Sequence, residues 1–292
     1  MRPIKDLFIE EYWNIAFRYY TEEDSAVNGE KNKKTEFNIL KANKRFWYAD
    51  PFLFEKDGKT YLFVEMFDNK TEVGVIGCSE FIDGIFTEPE IVLEESFHLS
   101  YPYVFEKDGK ILMMPETHED GCIQFYEAVD FPKKWKKLSI AVKDVNVVDT
   151  VIENDMFIGS AICPENDMSI DICVYDKDGN EMLYSPVYKR CLDRRGAGMC
   201  FSFKNERIRP AQSCENGLYG GKIIFYKINQ CDKEGYSEEK ISEITPAMIE
   251  VNGLENVSGI HTYARTGKIE IVDAKSERIN LKRLFWIIKR KV

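Results

Sequence analysis

The sequence predicts an all-β protein: a five-bladed β-propeller closed by N-terminal strands in its last blade, followed by a short basic C-terminal helix. Two observations carry that expectation. Residues 51–65, PFLFEKDGKTYLFVE, align without a gap to residues 102–116, PYVFEKDGKILMMPE, at an offset of 51 residues that keeps the whole Glu-Lys-Asp-Gly-Lys turn. Shorter copies of the same hairpin begin at Asp149, Met199 and His261. A repeat of ~50–60 residues leaves room for four antiparallel strands per unit, the sequence mark of a propeller. A two-sheet sandwich also holds many short strands but does not generate that period.

Residues 12–20 (YWNIAFRYY) and about 37–42 read as two strands ahead of the first repeat. The first blade, about 46–95, is built on the hairpin 47–65, where Asp57-Gly58 supplies the positive backbone angles of a tight turn. Val73–Phe81 and Ile85–Leu93 complete it. The second blade, about 98–143, adds Ile123–Val129 and Lys137–Val142; the third, about 148–190, adds Ile170–Tyr175 and Glu181–Tyr188; the fourth, about 197–246, adds Lys222–Ile228 and Ser237–Ile244. The fifth, about 257–275, has only its first two strands, and the N-terminal pair, 12–42, would complete it. The propeller then spans 1–277. The remainder, 278–292 (RINLKRLFWIIKRKV), reads as a basic amphipathic tail. It either lies on an anionic membrane surface or membrane-bound partner, or docks Leu284, Phe285 and Ile288 on the propeller rim.

A content of 44% hydrophobic and 13% aromatic residues indicates a folded chain, and a net charge of −10 argues against a nucleic-acid partner. No apolar run reaches the roughly 18–20 residues that cross a bilayer. The opening MRPIKDL has no apolar core of the signal-peptide kind, so a cytoplasmic location is expected. The eight cysteines show no C-x-x-C spacing and several fall inside strands, as expected of buried free thiols in a reducing compartment. No cofactor is expected.

In a propeller the first strand of each blade lines the centre. Asp50, Tyr101, Asp149, Gly198 and His261 open those strands, and Glu65, Glu116, Ala161, Gln212 and Asp273 end the second strands. Polar groups at matching positions are costly unless they meet a ligand or each other. They could hold a structural cation, or pair with Arg195, Arg207 and Arg209 to plug the channel. His98, His118 and His261 fall near the same end; they lack zinc-ligand spacing and suit hydrogen bonds to a polyol. Trp47, Phe67, Tyr101, Tyr103, Tyr219 and Tyr263 flank the centre. They are placed either to stack on sugar rings or to fill the space between blades.

The ordered set Ala49-Asp50-Pro51-Phe52, Ser100-Tyr101-Pro102, Pro115-Glu116, Asp149-Thr150, Arg209-Pro210-Ala211-Gln212 with Tyr219-Gly220, and Gly259-Ile260-His261-Thr262-Tyr263 resembles the N-terminal propeller domain of plant glucosamine inositolphosphorylceramide transferases. Related domains occur in bacterial proteins, some fused to formyltransferase-like domains. The resemblance covers roughly residues 12–275, without the fused glycosyltransferase part. That domain is in turn similar to five-bladed glycoside hydrolases of family 43. The similarity implies a general base at Asp50 and an orienting acid at Asp149. The fourth-blade glutamate that would be the general acid is absent from Arg194-Arg195-Gly196-Ala197-Gly198-Met199. Simple inverting hydrolysis, which needs an acid and a base about 6.5–9.5 Å apart, therefore does not carry over directly.

Glu116 or Glu65 is left to act as the acid, its pKa raised by neighbouring carboxylates. The expected catalytic set is Asp50, Asp149 and Glu116. The expected substrate-binding set is Trp47, Glu65, Tyr101, His118, Arg195, Arg209, Gln212, His261 and Asp273, with no metal. The implied ligand is a sugar, glycan or sugar-phosphate in cell-surface polysaccharide assembly. The alternative is a non-catalytic sugar-binding or scaffold module that assists a separate glycosyltransferase.

Overall fold

The computed structural model describes residues 9–29, 34–143, 145–176 and 187–279. Among these the chain is all-β, its only helices being three-residue 3-10 turns. β1 (Ile9–Tyr19) and β2 (Thr35–Ile39) pair with each other. β3 (Phe46–Lys56), β4 (Lys59–Asp68) and β5 (Val73–Ile82) run up and down as one sheet, extended on β5 by β6 (Ile85–Phe86) and β7 (Glu90–Leu93). β8 (Ser100–Lys107), β9 (Lys110–Glu116), β10 (Cys122–Asp130) and β11 (Lys134–Lys143) form the second sheet.

The third sheet is β12 (Val147–Glu153), β13 (Met156–Cys163) and β14 (Asn166–Tyr175). In the fourth, β15 (Arg195–Gly196) and β16 (Phe201–Phe203) both pair with β17 (Glu206–Ser213), which continues to β18 (Lys222–Cys231) and β19 (Tyr236–Ile244). The fifth gathers β20 (Ile249–Asn252), β21 (Gly259–Arg265) and β22 (Ile269–Ile279) with the two N-terminal strands, in the order β20-β2-β1-β22-β21.

The duplicated turn behaves as its residues dictate. Asp57 and Gly58 have φ of 51° and 76°, and Asp108 and Gly109 have 52° and 73°, the paired positive angles of a type I′ hairpin. Three expectations need adjustment. The outer strand expected at Ile85–Leu93 is two short strands, broken at Thr87–Pro89, where proline cannot donate to a ladder. β20, not foreseen, adds to β2 in parallel. β22 runs to Ile279, past the boundary placed at 277, and the rest of the expected tail helix lies outside the described residues. So does most of the strand expected at Glu181–Tyr188; its described end, 187–188, is not strand.

Alternating inward residues fill the space between neighbouring sheets. Phe52, Phe63, Met113, Tyr126 and Ile172 lie in one cluster, and Phe37, Phe225, Tyr263 and Val272 in another, all within 1% of complete burial. Each such side chain contributes about 1.5–3 kcal/mol by leaving water. All eight cysteines are free, and all but Cys191 are buried.

The inner strands share one irregularity, and it builds the centre. β3, β8, β12 and β21 each break register, at Ala49/Phe52, Ser100/Tyr103, Val148/Val151 and Ile260/Tyr263. At the first three breaks the bulged residue is left-handed: Asp50 at φ 49°, Tyr101 at 49° and Asp149 at 50°. Such bulges turn a backbone N–H out of the ladder and re-aim a side chain, and non-glycine residues there carry about 1–3 kcal/mol of strain each.

The freed amides tie sheet to sheet in a cycle. Asp50 Oδ2 accepts from the Tyr101 amide at 3.1 Å, and Glu116 Oε2 from the Asp149 amide at 3.1 Å. Ser160 Oγ accepts from the Gly196 amide at 3.1 Å, and the Ala197 carbonyl from the Tyr263 amide at 2.8 Å. Asp273 Oδ2 accepts from the Asp50 amide at 3.1 Å, which returns to the start.

Candidate functional site

Two ion-pair chains form the floor of the centre. In the first, His261 lies between two acids, with Nδ1 2.7 Å from Asp273 Oδ2 and Nε2 3.2 Å from Asp50 Oδ1. Thr262 Oγ1 donates to the same Asp50 oxygen at 2.9 Å, and Asp273 Oδ1 accepts the amides of His261 and Thr262. Trp13 from the N-terminal strand packs on the imidazole with ring centres 4.1 Å apart, and Tyr219 packs at 5.2 Å. Burial opposes charge on His261, but the two carboxylates outweigh it and raise its pKa to about 10. Burial would likewise raise Asp50, yet His261, Thr262 and the Tyr101 amide together hold it below the usual carboxylate range.

In the second chain Arg195 Nε donates to Asp149 Oδ2 at 2.6 Å, and its guanidinium lies 5.0 Å from the Tyr219 ring centre. Burial drives Asp149 up against the pull of Arg195. Glu116, beside it, is raised to about 8, first by burial and then by the Asp149 charge. A recess of about 10 Å³, roughly the room one water needs, lies between Glu116, Thr117, Asp149 and Thr150.

The expected residues divide into three groups. Asp50, Glu65, Asp149, Gln212, His261 and Asp273 meet at the floor and are at most 6% exposed. Above them Trp47, Glu116 and Arg195 are only half-buried. With half-buried Phe67, His98 and Tyr219 they form the accessible face: Trp47 stacks on Phe67 at 4.5 Å and 14°, and Phe67 leads to His98 at 6.1 Å. The third group is placed otherwise. Tyr101 is a brace, not a ligand contact: its hydroxyl crosses from the second sheet to the fourth and accepts the Gly198 amide at 2.7 Å, with 1% exposure. Gly198, at φ 126°, packs so closely on the Tyr263 carbonyl that no side chain fits.

Arg209 also leaves the centre. It is three residues from Gln212 on β17, and strand alternation sends the two to opposite faces. There it makes a buried two-point pair with Glu238, Nε to Oε2 at 2.8 Å and Nη2 to Oε1 at 2.7 Å. His118 sits in a 3-10 turn, and among the described residues no hydrogen bond or ion pair ties it to the centre. Trp13 and Thr262 were not anticipated. Thr262 follows His261 directly, so its neighbour was the available signal; for Trp13, β1 pairing along β22 was the only clue.

Among the described residues, Asp50, His261 and Asp273 bring ligand-capable atoms within 4.8 Å of one another, the spacing a cation needs. Both carboxylates already accept backbone amides, so the set is also complete as an internal ion triad. No helix among the described residues is long and apolar enough to cross a membrane.

Comparison with known proteins gives concordant results. A family model described as "Glucosamine inositolphosphorylceramide transferase 1, N-terminal" matches residues 40–256. Glucosamine inositolphosphorylceramide transferase 1 of Arabidopsis thaliana is 33% identical over 206 residues, covering 66% of this chain and 27% of that protein. The protein of the same name from Oryza sativa subsp. japonica is 28% identical over 207 residues, covering 66% and 28%. The chain thus spans little more than a quarter of the relatives it matches.

Among solved structures, a family 117 glycoside hydrolase from Zobellia galactanivorans aligns with a TM-score of 0.52 at 12% identity, covering 92% of this chain and 91% of that one. The catalytic domain of a Coprinopsis cinerea GH62 alpha-L-arabinofuranosidase aligns at 0.50 and 10% identity, covering 89% and 97%. At such identity the likeness is one of fold, and it makes this chain propeller-like.

Proposed function

Because the chain belongs to the family of the glucosamine inositolphosphorylceramide transferase 1 N-terminal domain, we propose that it is a sugar-recognition module. In this reading the five sheets are the blades of one propeller, closed where β1 lies on β22. The centre binds a glycan, nucleotide-sugar or glycolipid precursor for a glycosyl-transferring partner in cell-surface polysaccharide assembly, on the cytoplasmic side.

The observation that carries this reading is the contrast between floor and face. The floor carboxylates Asp50, Asp149 and Asp273 are committed to His261, Thr262, Arg195 and backbone amides, which leaves Asp50 a low-pKa, saturated anion and a poor base. The face keeps Trp47 and Phe67 for stacking beside the half-buried Arg195 and Glu116, groups suited to hydroxyls or one anionic substituent. The name of the plant relatives supports a sugar as ligand.

A catalytic reading is favoured by one observation: Glu116, raised to about 8, stays protonated at neutral pH near an ionised Asp50, the split an acid and base need. A thermal-shift screen of sugars, sugar phosphates and nucleotide-sugars with product analysis separates the two. Stabilisation without turnover, weakened in Arg195→Ala and Trp47→Ala, is the expected result. Product formation lost in both Asp50→Asn and Glu116→Gln would replace the binding reading with the catalytic one.

A further inference from the structure

Glu65 breaks the rule that its repeat partners obey. Glu116 and Asp273, both on the second strands of their sheets, each accept the bulge amide of the next inner strand. By the 51-residue repeat Glu65 matches Glu116, and the amide it should accept is that of Tyr101. Asp50 Oδ2 takes that amide instead. Glu65 is therefore released from holding the sheets together, although it stays at 5% exposure beside the centre.

The released carboxylate has its own support. Oε1 lies 3.3 Å from His98 Nε2, while Oε2 has no hydrogen-bond partner among the described residues. His98 Nδ1 accepts the Gly74 amide at 3.1 Å. A ring nitrogen that accepts an N–H carries no proton of its own, so the neutral imidazole bears its hydrogen on Nε2, the nitrogen 3.3 Å from Glu65 Oε1. Gly74 is needed for the approach: a Cβ there would come within 2.5 Å of the Leu99 carbonyl, 2.8 Å of His98 Cε1 and 2.9 Å of Glu65 Oε1. His98 in turn is 29% exposed and follows Phe67 and Trp47 on the accessible face.

We propose that Gly74, His98 and Glu65 form a hydrogen-bond relay that fixes Glu65 as the carboxylate acceptor for a hydroxyl of a polyol ring stacked on Trp47 and Phe67. His98 is a positioning residue: it holds one oxygen of Glu65 and leaves the other for the ligand. The proposal rests on the sugar-recognition reading for its ligand, but not for the relay.

The test has two arms. Nitrogen-15 NMR of the full chain at pH 7 reads the His98 tautomer directly. The expected result is a proton on Nε2 and an acceptor shift at Nδ1, with the Nε2 signal moving in Glu65→Gln. A proton on Nδ1, or no response to Glu65→Gln, overturns the relay. The second arm measures affinity for whichever sugar or polyol stabilises the wild type in the screen. At least a tenfold loss is expected in Glu65→Gln and His98→Ala, with recovery in His98→Gln, whose amide replaces the Nε2 donor. Full affinity in Glu65→Gln overturns the ligand role. A wild type that binds no compound sinks the sugar-recognition reading and with it the ligand role, while the relay is still judged by NMR.

Discussion

Replacing His261 with glutamine is the most informative perturbation of the floor. The imidazolium holds together two carboxylates in a site where every member is at most 5% exposed. Its rise from 6.5 to about 10 corresponds to about 5 kcal/mol at 1.36 kcal/mol per pH unit, and removing one partner of a buried ion pair costs about 3–5 kcal/mol. Glutamine keeps much of the bulk but leaves Asp50 and Asp273 as neighbouring uncompensated anions. At about 2 °C per kcal/mol for a chain of this size, the variant should melt about 6–10 °C below wild type at pH 6.

The folded-state pKa of His261 lies above the unfolded one, so its stabilisation is complete below about pH 6.5 and drains away as the pH climbs toward 10. The gap between variant and wild type should narrow over that window. Calorimetry of both proteins across it supplies the measurement. A gap under about 1 kcal/mol at pH 6, or one that does not change between pH 6.5 and 10, would refute the charged triad.

Glu116→Gln should behave in the opposite sense. The folded state favours the neutral acid, so wild type loses stability as pH rises from about 4.5 to about 8, and the variant should be more stable by up to about 5 kcal/mol at pH 9 but equal below pH 4.5 in denaturant titrations. Gly198→Ala should cost about 3 kcal/mol or more, because φ 126° and the Tyr263 carbonyl leave no room for a methyl group; an unchanged urea midpoint would contradict the packing. Arg209→Ala should destabilise by about 1.5–3 kcal/mol, because Glu238 loses a two-point partner but keeps Arg194 and the Tyr236 hydroxyl, where a surface role would leave stability untouched. Asp50→Asn should lower melting as well as any ligand response, since the carboxylate also binds the Tyr101 amide and Thr262.

Much of this arrangement was legible because the repeat fixes equivalent positions. Aligning 51–65 with 102–116 placed Asp50 and Tyr101 in register, and the copy beginning at Asp149 added the third; all three prove to be left-handed bulge residues at φ 49–50°. What equivalence of position does not give is what a side chain does on arrival. Tyr101 occupies the place of an acid yet serves as a brace, because its reach lets it span two sheets. Arg209 was expected at the centre with Gln212, but the two lie three residues apart on one strand, and strand parity turns Arg209 away to Glu238. The Glu65–His98 pair could not be read either: it depends on Asp50 taking an amide that the repeat assigns to Glu65, a substitution made across sheets. Trp13 reaches His261 only through pairing between strands some 260 residues apart in sequence, which local pattern does not encode.

That pairing has a consequence for how the centre comes into being. Aligning Ile9–Tyr19 with Ile269–Ile279 closes a loop of nearly the whole chain, at an entropic cost of about 5 kcal/mol that no local contact offsets beforehand. During synthesis the first four sheets can pack while Asp50 still lacks Asp273, His261 and Thr262, all of which emerge late. A half-made chain thus carries an uncompensated buried acid at its heart, and the seam sets the moment at which that charge is answered. Folding rate should accordingly respond to mutations along the seam far more than to those in the early hairpins. The centre is in this sense completed late, and its assembly reports that the chain has been read to residue 279.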